Sequence, residues 1–197
     1  MRYRVDPQAS RFTVQAFAGG PLSAVGHNPT FAIRDFRGEV EFDPKEPSAG
    51  SLRMVIAAAS LALTNSVSDK DRQEIERTTQ NQVLGSDRFP EITYDCAASR
   101  ITAIGPMQLV LAGDLTLHGV TRPQTVSARV YLMGGTLRGQ GETIIRQTEF
   151  GIRPVTVAGG MLKVKDELKL VFDIVARAVL AGDSTATRRS GAEPCVT

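Results

Sequence analysis

Residues 107–132 constrain the fold of this chain more than any other segment. Met107, Leu109, Leu111, Leu115 and Leu117 fall on one side of an extended chain, while Gln108, Asp114, Thr116 and His118 fall mostly on the other. A turn is expected around Gly119-Val120, and the alternation then resumes with Val126, Ala128, Val130 and Leu132. Two such strands make a hairpin with one apolar face, and that face needs a cover. A chain built mostly this way closes its sheet or stacks it on another.

The rest of the chain repeats the theme. Phe12, Val14, Ala16 and Ala18 alternate with Arg11, Thr13, Gln15 and Phe17. Gly19-Gly20-Pro21 and Gly26-His27-Asn28-Pro29 break the run. Phe31 and Ile33 are one step out of phase with Phe36, Gly38, Val40 and Phe42, which predicts a bulge near Arg34-Asp35. Leu52, Met54, Ile56 and Ala58 form a further run, as do Ile92, Tyr94, Cys96 and Ala98. Two late strands follow, one from Leu137 to Ile145 with Gly139 and Gly141 inside it, and one through Leu168, Leu170, Phe172, Ile174 and Ala176. Glycines inside strands mark corners where a sheet bends toward closure. A single helix is expected over 69–84, opened by Ser68 with Asp71 three residues later and stopped by Gly85. Lys70 with Glu74, and Arg72 with Glu76, are spaced to pair on its exposed face.

The pattern therefore reads as all-β with one helix: about eight antiparallel strands in a closed or half-closed barrel, the size that holds side chains or one small ligand. At 197 residues the chain suits one domain, 1–180, with a patternless tail, 181–197, expected to be disordered. Charged residues make up 22% and the net charge is +2 without a basic block before the tail, which argues against nucleic acid. No segment reaches the ~18 uninterrupted apolar residues of a membrane span. The opening Met1-Arg2-Tyr3-Arg4 has no apolar leader core, so a cytoplasmic location is the expectation. Cys96 and Cys195 do not make a disulfide scaffold and read as a buried thiol and a tail thiol.

No enzyme is expected. His27 and His118 are the only histidines, and neither stands in a zinc-protease pattern or beside a nucleophile motif. His118 reads as a polar turn residue, and His27 as part of a loop that lines a mouth or simply turns. A metal site needs three or four converging ligands, which these spacings do not supply, and no cofactor motif is present. Asp69, Asp71, Glu74 and Glu76 read as helix-start and surface charges. The glycine pairs Gly134-Gly135 and Gly159-Gly160 read as turns.

Several stretches resemble the YceI-like family of lipocalin-like barrels: Tyr3-x-Val5-Asp6-x-x-x-Ser10, Phe36-Arg37-Gly38-Glu39-Val40, Arg146-x-x-x-Phe150-Gly151, Val164-x-Asp166-Glu167-x-Lys169-Leu170 and, most strongly, residues 113–123. The resemblance runs from about Tyr3 to Arg177. It implies an eight-stranded lipocalin-like β-barrel that binds a long-chain isoprenoid or similar amphiphilic lipid, such as an isoprenoid quinone or a prenyl diphosphate.

The small residues Ala16, Ala18, Ala58, Ala98, Gly113, Ala128, Gly139 and Gly141 favour a hollow interior over a packed one, because packed interiors approach crystalline density. The expected wall is Phe12, Val14, Phe36, Val40, Met54, Ile56, Leu109, Leu111, Val126, Val130 and Phe172. Arg34 or Arg146 is expected to meet an anionic head, on charge alone. The alternative is a stress-related interaction module with a filled barrel, acting through its surface or as a homodimer. Val171 and Val175, expected on the outer face of the last strand, motivate it.

Overall fold

The computed structural model describes residues 1–19, 28–157 and 162–179. His27, the Gly159-Gly160 pair, Cys195 and the tail expected over 181–197 lie outside the described residues. The strands are β1 (Arg2–Val5), β2 (Arg11–Gly19), β3 (Thr30–Ile33), β4 (Phe36–Glu41), β5 (Ser51–Ala57), β6 (Leu61–Leu63), β7 (Glu91–Cys96), β8 (Ile101–Gly105), β9 (Gln108–Leu117), β10 (Val120–Met133), β11 (Thr136–Arg146), β12 (Thr156–Val157) and β13 (Leu162–Ala178). The helix α1 (Asp69–Thr78) lies between β6 and β7.

Eight strands close the barrel, in the order β1-β4-β5-β7-β9-β10-β11-β13, and β13 pairs back to β1 through Tyr3↔Ala178 and Val5↔Ala176. Every ladder is antiparallel. Several other strands continue ring strands past a break. β2 follows β1 along the same edge of β13, after a turn in which Ser10 Oγ accepts from Val175 N–H (2.9 Å). β3 leads into β4 with Arg34-Asp35 between them; the expected phase slip is a break between two strands, facing the longer stretch 57–60, and not a bulge within one, so Ile33 and Phe36 both point inward although three residues apart. β7 and β8 likewise share one edge of β9.

Four further expectations need correction. Met107 and Leu132 are exposed, because each stands at the rim where its strand has just begun or is about to turn. Ala98 is exposed in the turn after β7 and faces no interior. The hairpin turn sits at His118-Gly119, one residue earlier than expected, with both residues at positive φ (53° and 74°) as the tightest hairpin turns require. The helix stops at Thr78, and a wider turn over Thr79–Leu84 follows, in which Gly85 N–H reaches Gln80 O five residues back.

The helix opens as expected, Ser68 Oγ accepting from Asp71 N–H at 3.2 Å. Its charges do something else. Glu76 Oε1 accepts from Leu63 N–H (2.9 Å), and Arg72 donates to the carbonyl oxygens of Leu63 and Asn65. They cap the free edge of β6, whose other edge pairs with β3. Glu74 pairs with Arg77 at 2.7 Å instead of with Lys70.

Candidate functional site

Alternation places one side chain in two of every ring strand inside the barrel, and two different interiors result. At the His118 end, Leu117, Leu84, Phe150 and Ile152 belong to the buried core, with Phe150 completely covered. The short turn Gln147–Phe150 brings Phe150 in. That turn is tied down by the buried Gln147, whose amide donates to Lys165 O (2.9 Å), and by Asp166, which accepts from Thr148 N–H and Oγ1 (2.8 Å each). Lys165 and Asp166 are themselves offered by a bulge in β13 between Val164 and Leu168. His118 packs on Phe89 (ring centroids 4.7 Å apart), with Nδ1 3.3 Å from Phe150 O. It is a turn residue of this cap.

Toward the Gly134 end Phe42, just past β4, is buried at the wall, and a hollow of about 150 Å³ remains. That is roughly ten times the ~10–15 Å³ that one water needs, in a wall almost without polar groups to hold water. Of the eleven wall residues expected from the sequence, Phe12, Val40, Met54, Ile56, Leu109, Leu111, Val126, Val130 and Phe172 line it. Phe36 and Val14 do not. Phe36 stands behind Phe12, edge-to-face at 5.8 Å, and Val14 stands between Leu170, which lines the hollow, and Phe31, which does not. Leu115, Leu137, Ile145, Leu170, Ile174 and Ala176 also line the hollow. These residues continue the same period-2 pattern on β9, β11 and β13, so the signal that finds them was already present in the sequence.

The small residues divide sharply. A methyl group placed on Gly139 would meet nothing within 4 Å, and Ala128 beside it also lines the hollow. At Gly113 a methyl would collide with the Tyr94 ring at 2.3 Å, and at Gly141 with Ser127 O and Phe172. Those glycines make room for a neighbour's aromatic ring, not for a guest.

The hollow is electrically quiet. Glu41 contributes to its rim, but its carboxylate lies outside, 3.0 Å from Arg2. Burial pushes the Tyr94 phenol up to about 12, so it stays neutral; its hydroxyl accepts from Gly113 N–H (3.0 Å) and faces Leu111 O and Gln124 O. Burial also pushes the Cys96 thiol up, which leaves it unreactive. Neither cation expected at a head group reaches the hollow. Arg146 follows the inward Ile145 and so points outward, 3.5 Å from Glu167, while Arg34 is exposed between β3 and β4. Charge alone carries no information about which face a residue occupies. Among the described residues no cluster of three or more metal-binding side chains occurs, and no helix is long and apolar enough to cross a membrane.

A closed eight-stranded antiparallel barrel with a plugged end and an apolar hollow defines a lipocalin-like architecture. The family model for the YceI-like domain matches residues 3–176, and the chain belongs to that family. Among curated proteins it is similar to UPF0312 protein YE1254 of Yersinia enterocolitica (27% identity, 83% of this chain and 73% of that one) and to protein YceI of Salmonella arizonae (28%, 83% and 74%). Among solved structures it superposes on Burkholderia cenocepacia BcnA with a TM-score of 0.70 at 21% identity, covering 87% of this chain and 98% of that one. A polyisoprenoid binding domain from Saccharophagus degradans, implicated in plant cell wall breakdown, superposes with a TM-score of 0.67 at 15% identity, covering 90% and 98%. These likenesses establish the barrel.

Proposed function

We propose that this protein is a non-catalytic carrier that holds the tail of a polyisoprenoid or similar amphiphilic lipid in its barrel. The observation that carries the reading is the apolar hollow itself, left open beside Gly139 and Ala128. Membership of the YceI-like family and the polyisoprenoid-binding neighbour support it. Burying tail surface yields about 25 cal/mol per Å², so each added isoprene unit strengthens binding until the hollow is full. Isoprenoid quinones and prenyl diphosphates both present such a tail. Solvent extraction of the purified protein followed by mass spectrometry tests the reading: a co-purifying isoprenoid is expected. Its absence, together with no binding of added long-chain quinone, contradicts the reading.

A surface-interaction role finds one observation in its favour. Ile104, Met107, Leu132 and Met133 are all exposed at the Gly134 end, Met133 at 83%. Replacing Met133 and Ile104 by serine leaves lipid binding unchanged and abolishes partner recovery if that role holds.

A further inference from the structure

The barrel is not hydrogen-bonded all the way round. The β10–β11 ladder begins at Ser127↔Glu142 and runs to the Gly134 turn, whereas residues 120–126 of β10 pair only with β9 and residues 143–146 of β11 only with β13. The sequence removes one donor that a continued ladder would need. Thr125 O faces β11, since it accepts from Thr143 Oγ1 (3.3 Å) and Gln124 Nε2 (3.2 Å). Pro123, two residues earlier, faces the same way and has no N–H to give.

Side chains cross the resulting split in place of backbone. Gln124 and Thr143 both line the hollow, and Gln124 Nε2 donates to Thr143 Oγ1 at 2.9 Å and to Ile144 O at 3.3 Å. One step toward the His118 end, Arg122 stands opposite Leu115, at an inward position, yet it is exposed because no strand covers it there. Its Nε donates to Glu149 O across the split (3.2 Å). Among the described residues its two terminal nitrogens have no partner, and the Glu149 carboxylate makes no ion pair with it. The apolar wall thus leads through a neutral amide to a guanidinium at the surface.

We propose that this split receives the oxygen-bearing end of the bound isoprenoid, with Arg122 as its charged donor and the Gln124 amide as the neutral donor beneath it. The proposal rests on the carrier reading and adds where the head lies and what it must offer: hydrogen-bond-accepting oxygens, as in a phosphate or a quinone carbonyl. The long bonds from Gln124 to the Ile144 and Thr125 carbonyls are the ones a ligand oxygen replaces. Charge-assisted contacts from an arginine favour the anionic form of such a head.

Three probes with the same geranylgeranyl tail separate the sources: the alcohol, the diphosphate, and the menaquinone carrying that tail. Their dissociation constants are compared for the wild-type protein, Arg122→Gln, Gln124→Leu and, as a control, Arg146→Gln. The diphosphate is expected to bind the wild type about tenfold or more tighter than the alcohol. Arg122→Gln removes that preference and leaves the alcohol unchanged. Gln124→Leu weakens the quinone several-fold, and Arg146→Gln changes nothing. Equal binding of all three probes, or a preference that survives Arg122→Gln, overturns the head site while leaving the carrier intact. Unchanged quinone binding in Gln124→Leu overturns the part given to the amide. Binding of none of the probes overturns the carrier reading and the head site together.

Discussion

The two ends of this barrel are made from the same alternating strands, yet one is full and the other is not. At the His118 end, residues from outside the strands (Leu84, Phe150 and Ile152) join Leu117 in the core. At the Gly134 end only Phe42, just past β4, joins from outside the strands named here, and Gly139 and Ala128 leave space beside the wall. Alternation decides which side chains face inward. Whether they meet is decided by the segments between the strands.

The largest effect that tests this contrast comes from truncating the plug. Phe150→Ala removes a fully covered ring from a closed core and is expected to cost about 3–5 kcal/mol in urea unfolding. Leu109→Ala, in the wall of the hollow, is expected to cost about 2–3 kcal/mol, the low end for a buried leucine. Equal losses at the two sites would remove the distinction between the ends.

A smaller effect separates the glycines. Gly113→Ala must displace the Tyr94 ring and its hydrogen bonds, at a cost of about 1–3 kcal/mol. Gly139→Ala meets open space and stays within about 0.5 kcal/mol of the parent. Next in size is the clamp on the edge of β6. Glu76→Ala leaves the Leu63 N–H without its acceptor, costing about 1–2 kcal/mol, and hydrogen exchange at Leu63 is expected to speed up while amides of β9 keep their protection.

The smallest effect is on acid stability. Arg100 beside Asp114, Arg177 beside Asp6 and Arg138 beside Asp173 hold these carboxyls below their ordinary value of 3.8. A carboxyl with a lowered folded-state pKa stabilises fully above its unfolded value, and that contribution disappears as pH falls through the folded value. Thermal midpoints are therefore expected to be insensitive to these groups above roughly pH 5 and to drop below about pH 4, less so in Arg138→Gln. All three pairs brace neighbouring segments of the barrel wall, and among the described residues no ion pair crosses the β10–β11 split.

The legible parts of the fold were those carried by parity. The hairpin of β9 and β10, the phase break at Arg34-Asp35 and most of the hollow's wall follow from period-2 spacing that the structure keeps. Phe36 and Val14 have the right parity but the wrong height, and height along a barrel depends on strand stagger, which alternation does not encode. The helix end was misplaced because the wider turn over Thr79–Leu84 contains no Gly or Pro to announce it. Charge singles out Arg34 and Arg146 without regard to parity, whereas Arg122 has an inward position and lies beside Pro123, which has no N–H. The motifs by which the chain resembles its family serve the wall and the plug: Ser10 ties the first turn to β13, Gly38 lies against Met54, and Asp166 holds the turn that carries Phe150.

The most direct measurement is the affinity of prenyl alcohols of increasing length for the wild-type protein and for Gly139→Leu, which grows a side chain into the vacant space. A tail that lies in the hollow predicts wild-type affinity that climbs with each isoprene unit and then levels off. In the variant, with its unfolding transition preserved, the levelling should come at a shorter tail and the long alcohols should bind at least about tenfold more weakly. Identical length profiles in the two proteins would mean that the tail lies somewhere else.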